Sequence, residues 1–127
     1  MIKNMQEMID KTQYWDLQIL DFSTHFFGDE VNIFIYKDTV TSWKISFLSC
    51  YQVTYETDAT WRKNAYVKDL KKSQLGYYGQ DITVRESTNI EGFYDVSIDL
   101  TILTAKIICK GVNVETISND EVTIFWK

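Results

Sequence analysis

The residues that could do chemistry in this chain are few and far apart. His25 is the only histidine, and the two cysteines are Cys50 and Cys109. A structural zinc site takes four Cys or His ligands at short spacings. Three residues spread between positions 25 and 109 do not form one. A Cys–His nucleophilic pair would need Cys50 or Cys109 beside His25, but both thiols lie in apolar runs. Such surroundings raise a thiol pKa and leave it inert. His25 itself, in Thr24-His25-Phe26-Phe27, reads as a packed or edge histidine. Asn119-Asp120-Glu121 is too short for a calcium loop, which alternates oxygen ligands around a glycine and ends on a distal Glu. No Gly-x-Ser-x-Gly elbow is present, and the five glycines never take up phosphate-loop spacing.

Carboxylates are the remaining enzymatic route. Asp95 and Asp99 fall on one side of a period-two run. At strand rise they stand about 13–14 Å apart along the strand, beyond the roughly 5–9.5 Å of a glycosidase pair. Cross-strand pairing with Glu86 or Glu115 could bring acids closer; the plainer reading is a solvated acidic sheet face. The sequence therefore assigns no catalytic residue, no cofactor-binding residue and no metal ligand. One further stretch, 58–79, interleaves Trp61, Tyr66, Tyr77 and Tyr78 with Arg62, Lys63, Lys68, Lys71 and Lys72. Aromatics among cations can bind single strands of nucleic acid, but the acidic surroundings argue against it. A solvated helix or loop, or a site for an acidic partner, remains.

The elements that would position these groups are mostly strands. From Phe93 to Trp126, Tyr94, Val96, Ile98, Leu100 and Ile102 alternate with Asp95, Ser97, Asp99 and Thr101, and the pattern resumes with Val112 and Val114. A period of two gives a sheet with one dry and one wet face. Earlier strands are expected at Trp15–Leu20, at Val31–Tyr36 as a central strand, and at Asp81–Arg85. A long strand from Ser42 to Thr57 is expected to carry a β-bulge near Leu48-Ser49, where the apolar parity slips by one residue. Gly28-Asp29, Asp38-Thr39, Asn89–Gly92, Lys110-Gly111 and Ser118–Glu121 read as turns. Ile2, Met5, Met8 and Ile9 recur at helical spacing and predict a short N-terminal helix. Thr60 or Asp58 could cap a second helix across 60–72, with Trp61, Ala65 and Leu70 on one side; an irregular basic loop fits equally. The fold class is mainly β, a β-rich α+β domain with a meandering antiparallel sheet forming a barrel or a two-layer sandwich.

At 127 residues the chain reads as one domain, 1–127, with 45% apolar and 24% charged residues, the proportions of an ordinary globule. The net charge is −5; residues 58–79 carry +3 and the remainder −8. An acidic surface disfavours nucleic acid and anionic membrane and favours basic protein partners. No secretory signal is visible at the start, so the expected location is the cytoplasm and the cysteines are expected to be free. An exposed edge strand, Val122–Trp126, could pair with a second chain, leaving monomer or homodimer open.

Three segments carry a family resemblance: Trp15-Asp16-Leu17, Gln80-Asp81-Ile82-Thr83-Val84, and Gly92-Phe93-Tyr94-Asp95-Val96-Ser97-Ile98 leading to Ile107-Ile108-Cys109-Lys110. Together they resemble small, acidic, β-rich bacterial immunity proteins, whose genes lie beside polymorphic toxins. The resemblance implies a non-enzymatic binding protein, without cofactor, that blocks a cognate toxin; a basic toxin domain is the partner an acidic surface suits. The lysine-rich stretch 58–79 has no counterpart in that pattern, so no binding residue is carried over. Read from the residues alone, the alternatives are a small-ligand-binding β-barrel or sandwich lined by the many aromatics, and an enzyme working through clustered carboxylates.

Overall fold

A computed structural model of the chain describes residues 2–62 and 66–122. Among the described residues, one helix, α1 (Ile2–Asp10), precedes eight strands: β1 (Ile19–His25), β2 (Glu30–Tyr36), β3 (Thr41–Leu48), β4 (Gln52–Thr57), β5 (Asp81–Glu86), β6 (Tyr94–Leu100), β7 (Leu103–Cys109) and β8 (Gly111–Ser118). They form two antiparallel sheets, ordered β1-β2-β3-β8 and β4-β7-β6-β5. The architecture is a two-layer sandwich and not a closed barrel. Val31, Ile33, Ile35, Ile45 and Phe47 of the first sheet pack against Ile82, Val84, Val96, Ile98, Leu100, Ala105, Ile107 and Cys109 of the second. No helix among the described residues is long and apolar enough to cross a membrane.

The alternating run becomes β6, β7 and β8, but β8 belongs to the other sheet. The parity slip after Leu48 has the same cause. It is not a bulge within one long strand; the chain leaves the first sheet after Leu48 and enters the second at Gln52. Ser49 takes a positive φ of 54° at the crossing, and Lys110 N–H donates to Leu48 O at 3.1 Å, tying the two crossings together.

Two further expectations are corrected. Trp15–Leu20 is not a strand: β1 begins at Ile19, and Trp15 and Gln18 make only isolated bridges, to Gly79 and Tyr78. Asp16 sits at φ 63°, a conformation no extended strand contains. Residues 60–72 form no α-helix among those described; the segment is irregular, with single 3-10 turns at Val67–Asp69 and Lys72–Gln74. Its Ala65, like the predicted last strand beyond Val122, lies outside the described residues. The segment instead straps one open side of the sandwich. Leu75 is buried, Ile19 N–H donates to Tyr77 O at 2.9 Å, and Gln18 Nε2 donates to Lys72 O at 2.8 Å.

The other open side is closed by α1. At nine residues the helix would be marginal alone, but Ile9 is fully buried and Ile2 and Met5 pack on the core. Gln13 at φ 51° ends it. Gln6 then acts as a surrogate strand for the edge of β5. Its Oε1 accepts Val84 N–H at 2.9 Å and its Nε2 donates to Ile82 O at 2.8 Å. Tyr14 Oη accepts Ile82 N–H at 2.9 Å. With these three backbone groups taken, the edge of β5 is a poorer template for a second sheet. Gln6→Ala leaves Val84 N–H unpaired and is expected to lower stability by about 1–2 kcal/mol, read as a lower urea midpoint at constant slope.

Candidate functional site

The surface carries more chemistry than the interior. On the outer face of the second sheet, strand order and register place side chains in cross-strand rows. Asp81 lies opposite Asp99, Asp99 opposite Thr104, and Thr104 opposite Glu56. All four are exposed. The next row is Thr83, Ser97, Lys106 and Thr54; the one after is Arg85, Asp95, Ile108 and Gln52. A shallow depression of about 350 Å³ runs over the acidic row, between Tyr55, Ser97 and Lys106. Among the described residues, none of Glu56, Asp81 and Asp99 forms an ion pair. Asp81 accepts Thr83 Oγ1 at 3.0 Å, and Asp99 Oδ1 accepts Thr101 N–H at 2.9 Å. Like charges directly opposite each other on a sheet are destabilising, so the Asp81–Asp99 pair costs the fold some stability.

Cross-strand pairing does not bring Glu86 or Glu115 to Asp95 and Asp99. Glu115 is on the first sheet, 4.0 Å from Lys44. Glu86 lies opposite Tyr94, and Asp95 opposite Arg85. The acidic row that does form involves Glu56 and Asp81, which sequence spacing does not join to Asp99. Among the described residues, no group of three or more His, Cys, Asp or Glu could hold a metal ion.

Both cysteines are free; Cys109 is buried and Cys50 partly so. Burial pushes the Cys50 thiol up to about 11 and the Cys109 thiol to about 12. Cys50 Sγ donates to Phe47 O at 3.4 Å. With folded values above the ordinary thiol pKa of about 8.5, the unfolded chain loses these protons first. The stability they contribute is complete below about pH 8.5 and falls as pH rises toward about 11 and 12. Cys109 is expected to react with an aromatic disulfide reagent at pH 8 only after unfolding in guanidinium; prompt reaction of the native chain would contradict this placement.

Among the described residues, three cations of the basic segment lie over aromatic rings. Lys72 Nζ lies 4.8 Å from the Tyr36 ring, Lys68 Nζ 5.7 Å from Tyr66, and the Arg62 guanidinium 5.6 Å from Trp61. Beneath the segment is a groove of about 260 Å³ lined by Leu20, Asp21, Arg62, Leu75 and Leu103, among others. Burial raises the Asp21 carboxyl above the usual carboxylate value, against the hydrogen bond it accepts from Phe22 N–H.

The aromatics do not line one interior cavity. Tyr14 and Phe47 are in the core, while Phe26, Phe27, Tyr51 and Tyr55 face solvent. Phe26 and Phe27 form the tip between β1 and β2, with φ of 56° and 59°. Bulky residues avoid this left-handed region, at a cost of about 1–3 kcal/mol each. Phe26 is 73% exposed and Phe27 wholly so. The strained tip is fixed at its base: Asp29 N–H donates to Phe26 O at 3.1 Å, and Cys50 N–H to Asp29 O at 2.9 Å. Residue type gives no warning of it, because glycine is the ordinary occupant of such positions.

Comparison with known proteins adds the family. The family model described as Immunity protein PIM7 matches residues 1–116. No curated protein matches the chain. Among solved structures, an uncharacterized protein from Neisseria gonorrhoeae is similar in fold, with a TM-score of 0.52 and 13% identity over 80% of this chain and 92% of that one.

Proposed function

The chain belongs to the Immunity protein PIM7 family, and we propose that it is a non-enzymatic cytoplasmic inhibitor that binds a toxin encoded beside it. The observation that carries this reading is the row Glu56, Asp99 and Asp81 on the outer face of the second sheet, exposed and without ion pairs among the described residues. A self-repelling acidic face is disfavoured in the free protein and favoured against a positive surface. The partner is therefore a basic domain, and the acidic face steers its approach and holds part of the contact. Catalysis has no role in this account; blocking is by occupancy.

The test is co-expression. Cells carrying the toxin of the neighbouring gene are expected to survive when this chain is co-expressed, and the two proteins to migrate as one complex in gel filtration. Death of the cells together with separate migration would overturn the reading.

A further inference from the structure

We propose that the Phe26–Phe27 tip is the anchor by which this chain grips its toxin, entering an apolar recess with a basic rim, while the exposed edge of β4 lies along the same contact. This rests on the toxin-binding reading above and names the surface that carries its affinity.

Three observations converge on the tip. First, two consecutive phenylalanines are held in the left-handed region and exposed to water. A glycine or asparagine turn would be easier to fold, so the conformation answers to something other than folding. Second, the tip is one end of an aromatic ridge. Phe27 lines a surface depression of about 350 Å³ with Gly28, Cys50, Tyr51, Val53 and Tyr55. The Phe22 and Tyr55 rings are 5.0 Å apart. Rigid aromatics set in a water-excluding ring are the residues that dominate affinity at protein interfaces. Third, β4 is the outermost strand of its sheet, paired on one side only with β7, and most of its residues are exposed. The contrast is with β5, the opposite edge, where Gln6 and Tyr14 occupy Ile82 N–H, Ile82 O and Val84 N–H.

Charge chooses the occupant. Asp29 and Glu30 follow the tip and Glu56 follows Tyr55; Lys110, over the Phe93 ring at 5.3 Å, is the opposing cation near Tyr51. Tyr55 borders both the depression at the tip and the one over the acidic row. The Tyr55 ring points away from the acidic row, since Tyr55 pairs with the buried Ala105 and Glu56 with the exposed Thr104; the ridge and the acidic face meet around the edge of β4. A second copy of this chain, equally acidic, would set like charges against each other there.

The experiment measures affinity for the purified, catalytically inactivated toxin domain of the neighbouring gene by calorimetry, with the wild-type chain, Phe27→Ala, Phe27→Gly and the double variant Phe26→Ala/Phe27→Ala. Phe27→Ala is expected to weaken binding at least about 30-fold. Phe27→Gly is expected to weaken it as much while raising the melting temperature of the free chain, since glycine relieves the strained φ. A residue with only a structural role would lower that temperature. Wild-type affinity retained by all variants would overturn the anchor and leave the toxin-binding reading intact. No binding by the wild-type chain would overturn both. A concentration-dependent dimer of the free chain that Phe27→Ala abolishes would assign the ridge to a second copy and overturn the proposal.

Discussion

Gly79→Ala is expected to cost the fold about 3–5 kcal/mol, a large share of the about 5–15 kcal/mol that holds a domain folded. The reason is close approach and not backbone freedom. A Cβ at Gly79 would sit 2.3 Å from Tyr14 O and 3.1 Å from the Tyr14 ring. The obstacle is backbone, which cannot swing aside as a flexible side chain does. Gly79 is also stitched into the surrounding loop: its N–H donates to Leu17 O at 2.9 Å and its C=O accepts Asp16 N–H at 2.8 Å. Moving Tyr14 would in turn release Ile82 N–H from the Tyr14 hydroxyl on the β5 edge. Overpacking alone costs about 1–3 kcal/mol, and each lost hydrogen bond about 1 kcal/mol more. Gly111→Ala is the control, since nothing lies within 4 Å of its added Cβ and its φ is ordinary; its urea midpoint is expected to stay with the wild type. Equal midpoints for Gly79→Ala and Gly111→Ala would show that the 14–17 and 77–79 loops are not packed as described.

How much of this is legible in the residues depends on the kind of signal. The strands β5, β6 and β7 are plain because each buries one face, so Ile82, Val84, Val96, Ile98, Ala105 and Ile107 alternate with polar residues. The parity slip after Leu48 is also visible, but a bulge and a change of sheet produce the same slip, and only the pairing β3–β8 and β4–β7 separates them. Trp15 and Leu17 alternate like a strand; the positive φ at Asp16 that breaks it is a tertiary outcome. The acidic row is hidden for a related reason. Glu56, Asp81 and Asp99 become neighbours only through the strand order β4-β7-β6-β5. The Phe26–Phe27 tip contradicts what residue type predicts, and such local conflicts concentrate at functional sites. The immunity-type resemblance is legible in three short segments, and the family match over residues 1–116 agrees with it.

Neutralising the acidic row is the second large effect expected. The variant Glu56→Gln/Asp81→Asn/Asp99→Asn keeps one acceptor oxygen at each position. The new amide oxygen at position 81 can still receive Thr83 Oγ1, and the one at position 99 can still receive Thr101 N–H. Removing the Asp81–Asp99 repulsion is expected to leave stability unchanged or raise it by up to about 1 kcal/mol. Association with a basic partner is expected to slow about 10-fold or more at low ionic strength, because steering by a charged face acts on the encounter rate. A gain or tie in stability joined to a loss in binding separates a recognition surface from a structural one.

The measurement that tests the central claim most directly is the association rate of this chain with the purified toxin domain as a function of salt, for wild type and the triple variant. The account predicts a wild-type rate that falls steeply as salt rises, a triple-variant rate that is slower and nearly flat, and convergence of the two near 1 M salt, where the screening length is about 3 Å. Identical rates for the two proteins at every salt concentration would contradict it.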